Sequence, residues 1–100
     1  MEVTKNEILE YLKFEKRQFF KAFNLTKIGL FGSYASESAS ADSDIDIIVE
    51  FEENTQQLHQ KKNELRRLIS GKFGKRVDIC REKYIKPYYK GIILENAVFV

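Results

Sequence analysis

The sequence contains very little cysteine, proline or tryptophan and no long apolar run. There is a single cysteine, Cys80, so no disulfide can form within the chain and nothing indicates an oxidising compartment. There is one proline and no tryptophan, and no apolar run approaches the roughly 20 residues needed to cross a bilayer. The charged N-terminus lacks the apolar core of a signal peptide. We therefore expect a cytoplasmic domain spanning residues 1–100, with no membrane association.

Positive charge is missing from the middle of the chain. Residues 28–60 carry seven acidic side chains and no Lys or Arg, whereas residues 61–100 carry eleven basic and four acidic side chains. The formal net charge is only +2, which argues against a polycationic nucleic-acid coat, so no direct nucleic-acid binding is expected. A role for the basic cluster of residues 61–76 toward an anionic partner stays open.

The apolar pattern predicts an α+β fold in which helices pack on a small mixed sheet. With 43% hydrophobic residues, a chain of this length can bury about two-thirds of its unfolded surface. The order expected is helix, strand, loop, strand, helix, strand, helix. The helices are expected at residues 4–23, 54–70 and 87–94, the strands at 27–31, 44–51 and 76–80, and a loop or one short helical turn at 33–43.

Three local signals set the helix ends in this prediction. Thr4 with Glu7 fits a capping box at the first helix, Asn54 is expected to cap the second helix and Gly71 to end it. Pro87 suits the first turn of the last helix. For Tyr84, Tyr88 and Tyr89, a place in the core is favoured over a place in an interface or a modification.

Asp44 and Asp46 are the candidate metal ligands. Residues i and i+2 of a strand point to the same face, roughly 6.5–7 Å apart. Two carboxylates this close repel each other, and a divalent cation such as Mg²⁺, which prefers oxygen ligands, removes the repulsion. Asp78, opposite the Val/Ile face of another short strand, is the candidate third carboxylate. On this motif alone, a solvated pair of aspartates remains the alternative.

Gly32 and Ser33 are the candidate phosphate-binding residues. Gly32 stands where a strand ends and Ser33 where a helical turn could begin, so backbone N–H groups there could bind an anion. Gly-Ser is a weak signal alone, since ordinary turns use the same residues. Its combination with an acidic pair opening the next strand is the informative feature.

These two motifs together resemble the signature of the nucleotidyltransferase superfamily that includes DNA polymerase β. That signature is Gly-Ser, about ten residues, then Asp-x-Asp, and here Gly32-Ser33 is followed by Asp44-Ile45-Asp46. The short length and the acid in Arg76-Val77-Asp78-Ile79 are similar to the minimal nucleotidyltransferase (MNT) family. The segment from Lys86 to Val98 is like that family's C-terminal helix.

The resemblance implies a polymerase β palm-like fold and a set of residue roles. Asp44, Asp46 and Asp78 would bind up to two Mg²⁺ ions, and Asp78 could also help activate the attacking hydroxyl. Gly32 and Ser33 would hold the β- and γ-phosphates of ATP. The implied reaction transfers AMP to a hydroxyl, a tyrosine in a partner HEPN-domain toxin, so that the protein acts as its antitoxin.

One departure from the family pattern leaves an alternative open. The family often has Gly-Ser-x-Ala-Arg-Gly, but Ser36 and Glu37 follow Ala35 here. A basic group from elsewhere, Lys27, Lys75 or Arg76, could replace the missing arginine. Otherwise the protein would be a binding module that neutralises the toxin by occlusion. His59 and Cys80 are expected to be a surface residue and a buried small apolar residue.

Overall fold

The computed structural model describes residues 2–100, and its elements follow the predicted order with one strand added at the C-terminal end. The helices are α1 (Lys5–Phe23), α2 (Gly32–Ala35), α3 (Leu58–Phe73) and α4 (Pro87–Ile93), with a 3-10 turn at Glu82–Tyr84. The strands are β1 (Leu25–Phe31), β2 (Ile45–Phe51), β3 (Val77–Arg81) and β4 (Val98–Phe99).

The four strands form one mixed sheet in the order β3-β2-β1-β4. β1 pairs antiparallel with β2 and with β4, whereas β2 pairs parallel with β3. This confirms the predicted class of a small mixed sheet with helices packed on it.

The main core lies between one face of the sheet and helices α1 and α3. Thr4 caps α1 as predicted, with its Oγ1 accepting from the N–H of Glu7 at 3.2 Å. The helices and the sheet bury their apolar side chains against one another at this interface. The fully buried members are Ile8 and Leu12 of α1, Leu65 and Ile69 of α3, Ile28 and Leu30 of β1, and Ile45, Ile47 and Val49 of β2.

The predicted ends of α3 were wrong. The helix begins at Leu58, because Asn54 and Gln57 both have positive φ angles, 63° and 59°, which are incompatible with a continuing helix. It runs past Gly71 and ends at Gly74, whose φ is 64°. The extra turn is held because the Phe73 ring packs edge-to-face on Tyr11, with centroids 5.3 Å apart.

The C-terminal segment also departs from the prediction. Helix α4 ends at Ile93, and Val98 belongs to β4 instead of a continuing helix. Tyr84, Tyr88 and Tyr89 are exposed, so their expected place in the core was wrong. The chain leaves β3 at one edge of the sheet and returns as β4 at the other edge. Within residues 2–100, no helix is both long and apolar enough to span a membrane.

The crossing segment covers part of the second face of the sheet. Ile48 of β2 is buried on this face, opposite the helices, and Ile85 is buried after the 3-10 turn. Neither residue belongs to the main core cluster, and the 3-10 turn contacts β2. We call this second side the open face, because it is covered only in part.

Candidate active site

Asp46 and Asp78 lie side by side on the open face. In β2, the odd-numbered residues Ile45 and Ile47 are buried against the helices, so alternation turns Asp46 to the open face. Asp46 is the register partner of Asp78 in the parallel β2–β3 pair. Neighbouring strands are about 4.8 Å apart, so the sheet places these two carboxylates next to each other.

The electrostatics of Asp46 report this crowding. Its pKa is raised above the ordinary value of 3.8, first by burial and then by the charges of Asp78 and Asp44. Like charges and loss of solvent both disfavour the carboxylate form. A cation bound at this position would remove the repulsion.

Asp44 lies just before β2 and is engaged elsewhere. Its Oδ1 accepts from Nε of Arg76 at 3.3 Å, in an exposed ion pair. Within residues 2–100, no three His, Cys, Asp or Glu side chains converge closely enough to enclose a metal ion. The donor chemistry still fits Mg²⁺, which takes one or two carboxylates together with substrate phosphates, and Asp46 with Asp78 would supply two.

Gly32 packs directly against Asp46. Strand β1 ends at Phe31, the register partner of Asp46, and Gly32 follows with a φ of 74° that begins α2. A Cβ at this position would overlap the Asp46 carboxylate, since it would lie 2.9 Å from Cγ and closer still to Oδ2. Both the backbone angle and the space therefore require glycine. Ser33, the next residue, is half-buried on the first turn of α2.

The model of the nucleotidyltransferase domain family matches residues 5–100. The chain belongs to this family. The resemblance to the nucleotidyltransferases that the Gly-Ser and Asp-x-Asp motifs indicated is thereby confirmed.

Relatives of this nucleotidyltransferase domain extend over nearly its whole length. The protein adenylyltransferase MntA of Thermococcus cleftensis is 35% identical over 98 residues, covering 98% of this chain and 97% of the relative. A solved structure assigned to the minimal nucleotidyltransferases is 29% identical with a TM-score of 0.69, covering 90% of this chain and 93% of the other.

A more distant solved structure has the same fold. It is a complex of a tri-AMPylated HEPN toxin with an MNT antitoxin from Shewanella oneidensis. It is 17% identical, with a TM-score of 0.59, and covers 90% of this chain and 69% of that chain. At this identity the likeness shows the fold alone.

Two of the three basic residues considered as replacements for the family's arginine flank the site of this nucleotidyltransferase domain. Arg76 pairs with Asp44, and Lys75 donates to the carbonyl of Ala41 at 2.7 Å in the loop before β2. Lys27 instead pairs with Glu82 at 2.9 Å. It lies four residues along β1 from Phe31, at the far end of the strand.

Ser36, at the position of the family's arginine, holds the turn after α2. Its hydroxyl lies 2.8 Å from that of Ser38 and donates to the carbonyl of Ser33 at 3.3 Å. His59 is exposed, as expected, and lies within hydrogen-bonding distance of Asn63. Cys80 is half-buried, and burial raises the pKa of its thiol, which disfavours a thiolate nucleophile.

The sequence interpretation left Glu50 without a role. Glu50 Oε2 accepts from Nη2 of Arg81 at 2.9 Å, and Oε1 accepts from the N–H of Lys83 at 2.8 Å. These bonds tie the end of β3 and the following turn to β2. No sequence signal links residues that are 31 and 33 positions apart, so only the parallel β2–β3 pairing reveals this contact.

Proposed function

We propose that this domain is a magnesium-dependent adenylyltransferase that moves AMP from ATP to a tyrosine hydroxyl of a HEPN-domain toxin, and so acts as an antitoxin. The observation that carries the proposal is the register pairing of Asp46 with Asp78, with Gly32 packed against Asp46. The name of the Thermococcus relative supports AMP as the transferred group, and the Shewanella complex supports a HEPN toxin as the acceptor protein.

In the proposed reaction, the acids bind metal and the Gly-Ser turn binds phosphate. Magnesium would be held by Asp44, Asp46 and Asp78, and Asp44 would leave its ion pair with Arg76 to bind the metal. Bound magnesium would neutralise charge on the triphosphate and on the pyrophosphate that leaves. Gly32 lets phosphate approach the backbone, and the Ser33 hydroxyl donates to a phosphate oxygen.

Bond making and breaking then involve the acceptor hydroxyl. Its oxygen forms a bond to the α-phosphorus of ATP while the bond to the leaving pyrophosphate breaks. The hydroxyl proton passes to the exposed carboxylate of Asp78, which lies beside Asp46 and is open to solvent for its release.

The test is AMP transfer by Asp46→Asn and Asp78→Asn, measured as the mass of a HEPN-domain partner from the same genome after incubation with ATP and Mg²⁺. We expect transfer to fall at least about 100-fold in each variant, because each loses a metal-binding charge. Asp42→Asn is the matched control, since Asp42 is an exposed acid in the preceding loop, and it should transfer at the wild-type rate.

Two results would contradict the proposal. Wild-type transfer by either site variant would remove the metal assignment. A stable complex with a partner of unchanged mass would favour the alternative, neutralisation by occlusion, for which Ser36 in place of the family's arginine is the supporting observation.

A further inference from the structure

Exposed apolar side chains are concentrated in the C-terminal segment. Of the seven large hydrophobic residues that are exposed in residues 2–100, five lie between positions 84 and 99. Scattered exposed apolar residues are normal, but their concentration in one short segment, where Tyr88 and Tyr89 touch, is typical of an interaction surface. We call this group the C-terminal aromatic surface; it consists of Tyr84, Tyr88, Tyr89, Ile92 and Phe99.

Helix α4, which carries three of these residues, has little packing of its own, since only Ile93 among its residues is half-buried. It has seven residues and none of them is buried, with Tyr88 exposed at 83% and Ile92 at 70%. Helices this short are marginal in water without a packed face. A contact with another molecule would supply the missing packing.

The charges around the surface select the kind of partner. Its segment carries Lys83, Lys86 and Lys90 and two acids, Glu82, which is paired with Lys27 at 2.9 Å and with Lys90 at 3.8 Å, and the exposed Glu95. Basic side chains therefore outnumber acidic ones. A second copy of this chain would place the same lysines against one another in a two-fold contact, which disfavours self-association. The complementary partner has an apolar face with acidic residues around it.

Contacts with neighbouring side chains already occupy one face of several rings in this surface. Lys27 lies over the Phe99 ring, and Arg81 lies over the Tyr84 ring at 5.1 Å from its centroid. Tyr88 and Tyr89 meet edge-to-face, with their planes at 85°. Base stacking needs free ring faces, whereas a protein contact can use the ring edges and Ile92.

One end of the surface, at Phe99, lies near the candidate active site. Phe99 pairs in register with Gly29, and its ring lies against Gly29 on the open face. Gly29 is two residues, about 7 Å, along β1 from Phe31, the register partner of Asp46. Glu82 joins Lys27, at the far end of β1, to Lys90 of α4, so the surface runs from that end of the sheet to Phe99. A protein that covers its whole length would reach the neighbourhood of Asp46 and Asp78.

We infer that the C-terminal aromatic surface docks the acceptor protein, through an apolar face of that protein with acidic residues around it, and thereby presents its hydroxyl to the site. This inference rests on the proposed function, because it takes the adenylylated protein as the occupant.

The test compares Ile92→Asp with Phe14→Asp, a matched control that is exposed at 85% on α1, on the other side of the sheet. The probe is the HEPN-domain protein of the same genome, with its affinity measured by calorimetry and its AMP transfer by mass. Ile92→Asp should weaken binding at least tenfold and lower transfer at sub-saturating partner, while Phe14→Asp stays within twofold of wild type. Lys86→Glu should weaken binding severalfold and reduce its salt dependence.

A second measurement separates docking from folding and chemistry. Binding of a fluorescent ATP analogue and the thermal unfolding midpoint should be unchanged in Ile92→Asp, because Ile92 contributes to neither the site nor the core. Wild-type partner affinity in Ile92→Asp would overturn the docking surface and leave the proposed function standing. A wild-type protein that neither binds nor modifies the HEPN-domain protein would overturn both.

Two other occupants give distinct results. If Ile92→Asp abolishes a dimer seen by light scattering and leaves the partner affinity unchanged, the surface binds a second copy and the inference fails. If it abolishes binding of a single-stranded oligouridine and leaves the partner affinity unchanged, the surface binds RNA and the inference fails.

Discussion

At the scale of single residues, Gly32 is under two separate constraints. Its φ of 74° disfavours any residue with a Cβ, and that Cβ would overlap the Asp46 carboxylate. We predict that Gly32→Ala lowers the free energy of unfolding by about 1–3 kcal/mol and reduces AMP transfer, because Asp46 must move. Urea unfolding and the transfer assay measure the two effects.

Gly74→Ala is the control that separates these constraints. Gly74 also has a positive φ, 64°, but no atom lies within 4 Å of a Cβ built there. Gly74→Ala should lower the free energy of unfolding by about 1 kcal/mol and leave AMP transfer unchanged. Equal transfer by Gly32→Ala and Gly74→Ala would show that the contact with Asp46 has no part in the reaction.

A second prediction at the residue scale concerns the effect of Asp46 on stability as the pH changes. Burial, Asp78 and Asp44 raise its pKa above 3.8, so the folded state favours the protonated acid. Its contribution to stability is present below pH 3.8 and is lost as the pH rises through the folded pKa. In EDTA, Asp46→Asn should therefore be more stable than wild type at pH 7, and the difference should shrink toward pH 3.

Addition of Mg²⁺ provides the complement to that experiment. Ligands that bind only the folded state stabilise it, so Mg²⁺ should raise the unfolding midpoint of wild type at pH 7 more than that of Asp46→Asn. Asp42→Asn should follow wild type under both conditions. If Asp46→Asn is less stable than wild type in EDTA at pH 7, the crowding of carboxylates does not destabilise the site.

The candidate acidic residues stand out in the sequence because their signal is local. Asp46 lies on a strand with clear alternation, Asp44 stands two positions earlier, just before that strand, and Asp78 lies in a short Val/Ile strand. The contact of Gly32 with Asp46 and the pairing of Asp44 with Arg76 were not predictable, because both depend on which strands are neighbours.

At the scale of elements, Glu50 joins β2 to the turn after β3. Burial alone would raise the pKa of Glu50, but hydrogen bonds from Arg81, Lys83 and Phe51 and the charge of Arg81 lower it below 4.5. The Arg81 side chain is exposed at only 11%, so a lost partner leaves its charge poorly solvated.

We predict that Glu50→Gln lowers the free energy of unfolding at pH 7 by about 1.5–3 kcal/mol, the range for hydrogen bonds to charged groups. Because the pKa of Glu50 is lowered in the folded state, its stabilisation is present above pH 4.5 and is lost as the pH falls through the folded pKa. The difference in stability between wild type and Glu50→Gln should therefore become smaller in acid. Urea unfolding at several pH values measures this. The control is Glu53→Gln, because Glu53 is exposed; it should change the free energy of unfolding by under about 0.5 kcal/mol. An equal loss of stability in both variants would show that Glu50 does not anchor the turn after β3 to β2.

The elements that contain several repeats of the apolar pattern were predicted, and the element too short to contain a repeat was missed. Helix α1 and strand β2 carry clear repeats, and the structure has both. Strand β4 has two residues, too few for any alternation. It forms because Val98 and Phe99 pair with the free edge of β1. Gly71 and Gly74 are equivalent as local signals, and the packing of Phe73 on Tyr11 decides between them.

At the scale of the whole molecule, the sheet order explains why the C-terminal segment crosses the open face. β3 and β4 lie on opposite edges, so residues 82–97 must pass from one edge to the other. Their 3-10 turn contacts β2, Ile48 is buried on this face, and Asp78, at the other end of β2 and β3, is exposed. The crossing thus separates a packed half of the open face from a half that is free for substrates.

The end of this crossing depends on Gly29. A Cβ on Gly29 would lie 2.8 Å from both Cδ1 of Phe99 and the carbonyl oxygen of Val98, too close for any real contact. We predict that Gly29→Ala pushes β4 off the sheet and costs about 1–3 kcal/mol, the range for overpacking. Hydrogen exchange of the Val100 amide, which donates to the Ile28 carbonyl at 3.1 Å, should quicken at least tenfold. Gly91→Ala, where a Cβ meets nothing within 4 Å, should leave that exchange unchanged; unchanged exchange in Gly29→Ala as well would mean that β4 is not held by this contact.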